Sequence, residues 1–173
     1  MRLEVSQLRA AAGTLTAGER ILLSGTVYTA RDAAHKRIFE RMQTGQPLPF
    51  DLRDAVIYYA GPTATPPGQA IGSVGPTTSA RMDPYAPTLY RMGLLATVGK
   101  GGRSEEVRQS IMETGGLYLC ALGGCGALAA ACITDCTVIA FEDLGCESVK
   151  RLTMRDFPLI VGIDSRGNTV FGR

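Results

Sequence analysis

The sequence predicts an α/β fold, mixed β structure with flanking helices, on three observations. Short runs rich in Val, Ile, Leu and Tyr alternate with segments whose apolar residues recur at helical spacing. The 21 glycines and 9 prolines imply many tight turns, more than a helix bundle would use. The chain has no tryptophan and only 6% aromatic residues, so its core is aliphatic. A single domain spanning 1–173 is expected, long enough to bury a sizeable core without staples.

The elements follow in order. EVSQLRAAAGTL reads as a first strand and turn. ILLSGTVYTA is a buried strand with a bend at Ser24-Gly25. In RDAAHKRIFERMQTG, Ala33, Ala34, Arg37, Ile38 and Met42 recur at helical spacing and Gly45 is the stop. Asp32 is an N-cap or first-turn acid, which puts Arg31 at a strand-to-helix junction. QPLPFDLRD is a loop. AVIYYAGP is a short buried strand, TATPPGQA a solvent loop, and IGSVGP a returning strand. The echo of AGP in VGP suggests neighbouring strands that deliver turns to one region. SARMDPYAPTLYRMG is partly helical, and LLATVGKGG is a strand running into a glycine turn. SEEVRQSIMETG is a helix capped by Ser104. GLYLCALGG reads as a strand, CGALAAACI as a small-residue helix and CTVIAFEDLG as another strand. ESVKRLTMRD reads as a short helix, and FPLIVGIDSRGNTVFG as a hairpin with Ser-Arg-Gly-Asn at its turn.

Charge excludes some functions. A net charge of +2 without clustered Lys/Arg argues against a nucleic-acid footprint. The amino terminus interleaves acidic and basic residues and lacks the apolar core of a signal peptide. No stretch reaches the roughly 18 apolar residues that span a bilayer. A soluble, cytoplasmic protein is expected. Cys120, Cys125, Cys132, Cys136 and Cys146 are odd in number and contain no CxxC pair, so disulfides and a metal site built from them are not expected.

Three junctions carry polar groups just past apolar strands. They are Arg31 with His35, then Thr77, Thr78, Ser79 and Arg81, then Lys100 in VGKGG. Each has an ordinary structural alternative. Arg31 could pair with a neighbour such as Asp32, and His35 could be a satisfied packing residue. The threonines could bond their own turn, and Lys100 could be solvated. GKGG is not a phosphate-cradling Walker loop, because the upstream glycine and the following Ser/Thr are missing. Taken together, two arginines and a lysine at strand ends suit a dianionic small acid. A hydroxyl among those cations has its alkoxide favoured, which suits proton transfer.

The motifs SGTVYTARDAAHKR, IYYAGP, GPTTSARMD, VGKGG, FEDLG and DFPLIVGIDSRGN resemble the β subunit of class I iron–sulfur fumarate hydratases, or the carboxy-terminal domain of the fused enzymes. The likeness runs from about residue 18 to the end. The L-tartrate dehydratase β subunit is a near relative; the ending and the FEDLG segment look more like the fumarase branch. The resemblance implies a swivelling β/β/α domain that is half of a hydro-lyase, in a complex of two α and two β chains. It implies a 4Fe–4S cluster on the α subunit, with no metal bound by this chain. It implies Thr78 as the base that takes the C3 proton of malate. Arg31, Thr77, Arg81 and Lys100 become dicarboxylate contacts, and His35 becomes an orienting residue. A binding domain for small organic anions, with no chemistry of its own, remains the alternative from the residues alone.

Overall fold

The computed structural model describes residues 1–172. Its seven strands form one hydrogen-bonded system in the order β1-β2-β3-β4-β5-β7-β6, with a further β2–β7 pairing. The strands are β1 (Arg2–Glu4), β2 (Arg20–Thr29), β3 (Val56–Tyr58), β4 (Ala96–Gly99), β5 (Leu117–Cys120), β6 (Ile133–Ala140) and β7 (Val149–Ile163). The helices are α1 (Val5–Ala11), α2 (Asp32–Gln43), α3 (Ala86–Arg91), α4 (Glu105–Thr114) and α5 (Gly126–Ala131). β1 to β5 run parallel. β7 runs antiparallel to β2, β5 and β6 and so closes the circuit from β2 through β5 back to β2. This two-layered sheet with helices outside it is consistent with a swivelling β/β/α domain.

Strand alternation decides which side chains face which layer. Val56 and Tyr58 of β3, Ala96 and Val98 of β4, and Leu117 and Leu119 of β5 point into the core between the sheet layers. The intervening residues point to the helices. Ile57 packs with Ala34 and Ile38 of α2, and Tyr118 packs with Tyr90 of α3 and with Val107 and Ile111 of α4. Thr97 also faces that side, where its hydroxyl meets Tyr90. The bend expected in β2 is a bulge between Leu23 and Gly25, and Gly25 takes φ +113 there. Ser104 caps α4, accepting from the Val107 amide at 3.3 Å.

Four sequence expectations need correction. EVSQLRA continues β1 for one residue and then forms α1, whose only buried residue is Leu8. IGSVGP is extended but not a strand; it makes an isolated antiparallel bridge between Pro76 and Ala60. ESVKRLTMRD is not a helix. After Glu147 and Ser148 it is the first half of the 15-residue β7, with Leu152 and Met154 buried and Arg151 and Thr153 between them. Pairing on both edges, with β2 and with β6, satisfies its backbone and overrides the helix-forming side chains. The expected hairpin at the end is one bridge, Ile163 to Thr169. Buried Asp164 organises its turn by accepting from the Arg166 and Asn168 amides at 3.0 Å each.

Candidate functional site

Because β2, β3, β4 and β5 are parallel, the loops that follow them emerge at one edge of the sheet, where such folds place ligands. β2 delivers Arg31, β3 delivers Gly61, and β4 delivers Lys100. The extended segment ending at Thr78 crosses these strand ends. It is held by the Thr77 amide, which donates to the Tyr59 carbonyl at 2.7 Å, and by the Ala60–Pro76 bridge. Thr78 then pairs with Lys100 in a parallel bridge. The Ser79 amide donates to the Lys100 carbonyl at 2.9 Å, and the Lys100 amide donates to the Thr77 carbonyl at 3.3 Å. The Lys100 stem passes over Gly123, in the turn after β5.

Both arginines stand at the start of α2. Arg31 is the residue that precedes its first turn. Its guanidinium lies over Gly61, where a Cβ would stand 2.7 Å from Nη1. Arg31 Nε is 3.7 Å from a Glu147 carboxylate oxygen, an ion pair too long for a hydrogen bond, and this buried Nε has no other partner among the described residues. Arg81, on the 3-10 turn Ser79–Met82, donates from Nε to Asp32 Oδ1 at 3.0 Å. Its Nη2 lies 2.8 Å from Asp32 Oδ2, close enough for attraction but outside hydrogen-bond alignment. Asp32 therefore engages one edge of the Arg81 fork, and the edge bearing Nη1 is left over. Lys100 takes part in no ion pair among the described residues. Thr78, Arg81 and Lys100 are exposed, so these groups line an open face rather than a closed pocket.

His35 lies beneath this face and is fully buried. Its Nδ1 is 2.8 Å from the Arg31 carbonyl. A carbonyl only accepts, so Nδ1 carries the proton and Nε2 is the bare nitrogen. That Nε2 is buried without a partner among the described residues, and the ring centres of Tyr59 and Tyr85 stand 5.5 and 5.4 Å from the centre of the imidazole. Burial lowers the His35 pKa to about 4; the Arg31 carbonyl bond opposes this and the Arg103 charge adds to it.

A second layer, not anticipated from the sequence, supports the turns. The Arg103 side chain is 0% exposed, so its charge must be answered inside the protein. It donates to Asp83 at 2.6 Å and to the Thr97 hydroxyl at 2.9 Å, and it lies over the rings of Tyr59 and Tyr118. The other Asp83 oxygen accepts from the Ser104 amide at 2.7 Å. Arg103 and Asp83 stand next to the motifs GKGG and SARM, but nothing in their local sequence distinguishes them from surface charges. On the Arg31 side, buried Lys150 donates to the carbonyls of Gly145 and Cys146 and to Ser148 Oγ, which holds the turn carrying Glu147. Its local sequence had suggested a short helix.

The five cysteines are free. Among the described residues, no group of three His, Cys, Asp or Glu side chains is arranged to hold a metal ion. No helix among them is long and apolar enough to cross a membrane.

Comparison with known proteins decides the family. The model of the fumarase C-terminus family matches residues 1–173. The chain belongs to the fumarase C-terminus family. Fumarate hydratase 2 of Leishmania major is 42% identical over 158 residues, which cover 90% of this chain and 28% of the relative. The aerobic class I fumarate hydratase of Escherichia coli is 40% identical over 154 residues, covering 88% of this chain and 28% of the relative. The chain thus spans little more than a quarter of these fumarate hydratases. A putative L(+)-tartrate dehydratase subunit beta of Methanocaldococcus jannaschii is 39% identical over 163 residues, covering 91% of this chain and 84% of that protein. The matched segment therefore makes up most of the tartrate dehydratase relative and little more than a quarter of each fumarate hydratase.

Proposed function

We propose that this chain is the β subunit of a hydro-lyase that interconverts fumarate and L-malate in the cytoplasm. It works with a separate α subunit that carries a 4Fe–4S cluster, in a complex of two α and two β chains. The observation that supports this reading most is the Thr78–Lys100 bridge, with the spare edge of Arg81 beside it on the following turn. It carries a hydroxyl and two cations on adjoining turns. That is the chemistry of holding a dianion and moving one proton from carbon.

Arg31, Arg81 and Lys100 hold the two carboxylates, with Thr77 contributing its hydroxyl. Thr78 takes the C3 proton of malate, and the neighbouring Lys100 charge favours the alkoxide that this requires. The electron pair left at C3 moves toward the adjacent carboxylate, and the cations stabilise the extra negative charge there. His35 orients Arg31 through its carbonyl. The exposure of Thr78, Arg81 and Lys100 fits a face that a second chain covers, which would exclude water and strengthen each of these interactions. Among the described residues the cysteines lie on or beside β5, α5, β6 and the turn before β7, and the proposed cluster belongs to the α subunit. When bound there, it supplies a Lewis acid for the departing hydroxyl.

The subunit-length tartrate dehydratase relative favours a second reading, the same chemistry on tartrate. Anaerobic co-expression with the α subunit, assayed on malate, fumarate, tartrate and a methyl-substituted malate, separates the two. Turnover of malate and fumarate is expected. Turnover confined to tartrate would select the second reading. Diacid binding by the β chain with no turnover of any substrate would leave a simple anion-binding domain.

A further inference from the structure

The turn that carries Thr78 and the turn that carries Lys100 are joined underneath by one phenol. The Tyr118 hydroxyl is 2.7 Å from the Gly101 carbonyl and 2.9 Å from Ser79 Oγ. A carbonyl only accepts, so the single Tyr118 proton goes to Gly101, and Ser79 must donate its own proton to Tyr118. The direction of the relay is therefore set: Ser79 to Tyr118 to Gly101. Ser79 follows Thr78 directly, and Gly101 follows Lys100 directly.

The relay is enclosed. Ser79 and Tyr118 are 0% exposed. The Ser79 hydroxyl sits in the space above Gly99, where an added Cβ would collide with it. The Arg103 guanidinium stands 5.0 Å from the centre of the Tyr118 ring and, through Asp83, ties down the residue just beyond the Ser79–Met82 turn. Burial raises the Tyr118 pKa well above that of a free phenol, so the donated proton stays in place. Strand alternation makes this possible: Leu117 and Leu119 face the inner core, Tyr118 and Cys120 face the helix side, and the Tyr118 hydroxyl reaches under both turns.

We propose that Tyr118 is a positioning residue whose hydroxyl locks the Thr78 turn against the Lys100 turn and so keeps the hydroxyl and ammonium at one spacing. The catalytic consequence rests on the hydro-lyase reading; the locking itself does not. Two measurements separate these. Tyr118→Phe keeps the ring and removes the hydroxyl. In the full-length chain, the Ser79 and Lys100 amides are expected to exchange hydrogen at least about tenfold faster than in the wild type, with Val27 of β2 unchanged as a reference. In the complex with the α subunit, kcat is expected to fall about tenfold while KM moves less than about twofold, the signature of misplacement in the transition state. Ser79→Ala breaks the same relay from its other end, and the double variant should be no worse than the poorer single one. It also serves if Tyr118→Phe folds badly. Wild-type exchange at both amides in either variant overturns the proposal, and so does a loss carried by KM alone or effects that multiply. If the wild-type complex turns over no diacid, the hydro-lyase reading fails and the exchange data still decide the locking.

Discussion

Thr78 and Lys100 are neighbours across a parallel β-bridge, although 21 residues, among them α3 and β4, separate them in the chain. The Lys100 ammonium has no ion-pair partner among the described residues, and a cation near a hydroxyl favours its alkoxide. Thr78→Ala should therefore lower kcat by about a hundredfold or more, the usual scale for a lost general base, with little change in KM. Steady-state kinetics of the complex checks this. Near-normal turnover would remove Thr78 from the mechanism.

Gly61 is a matter of space. A Cβ there would stand 2.7 Å from Arg31 Nη1 and 3.1 Å from the Cys146 carbonyl. The guanidinium is the movable partner, because the carbonyl is held by Lys150. Gly61→Ala is expected to push Arg31 aside and raise KM for the dicarboxylate about tenfold, with kcat nearly preserved. A fall in kcat at unchanged KM would mean that Arg31 does not hold substrate in the ground state.

The candidate site residues stand out in the sequence because they sit in turns with unusual composition: ARDAAH, GPTTSAR and VGKGG each set charged or hydroxyl groups beside Gly, Pro or a helix start. The Thr78–Lys100 bridge depends on strand order and was not readable from the turns themselves. The supporting layer was not legible. Tyr118 looks like any strand tyrosine until its register sends it under Ser79 and Gly101, and Arg103 looks like a surface charge until α3, α4 and the sheet enclose it. The same physics explains the misread β7. Leu152 and Met154 are buried on one face and Val149 on the other, but Lys150, in register with Leu152 and Met154, puts a charge where the alternation calls for an apolar residue, and its reason for burial is the turn at 145–148. α1 was missed because Leu8 is its only buried residue, which leaves no apolar stripe to read.

The Asp83–Arg103 pair should be costly to break from one side. Asp83→Ala leaves a guanidinium with 0% side-chain exposure without its carboxylate and removes the acceptor of the Ser104 amide. The expected loss is about 3–5 kcal/mol of unfolding free energy, as for other buried pairs deprived of one partner. Urea unfolding at neutral pH measures it. A loss below about 1 kcal/mol would place the pair among those that contribute as little as surface pairs do.

His35 makes stability depend on pH in a definite direction. Its pKa falls from 6.5 in the unfolded chain to about 4 when folded, chiefly because burial disfavours the imidazolium. Above pH 6.5 the ring is neutral in both states and pH has no effect through it. As pH falls from 6.5 toward 4, the unfolded chain takes up the proton first, so the folded state loses stability across that window. The full effect is on the order of 3 kcal/mol, reached near pH 4. Asp164 acts in a lower window: burial raises its pKa, but bonds from Asn168 and from the Ala17, Asn168 and Arg166 amides together outweigh that and hold it below the usual carboxylate value. Its contribution is present above the ordinary carboxylate range and is lost as pH falls through that lowered value. Urea midpoints measured between pH 7 and pH 4.5 should thus decline in the wild type and decline less in His35→Gln, which cannot take up a proton. An equal slope in the two proteins would mean that the buried imidazole does not set the acid limit of this fold.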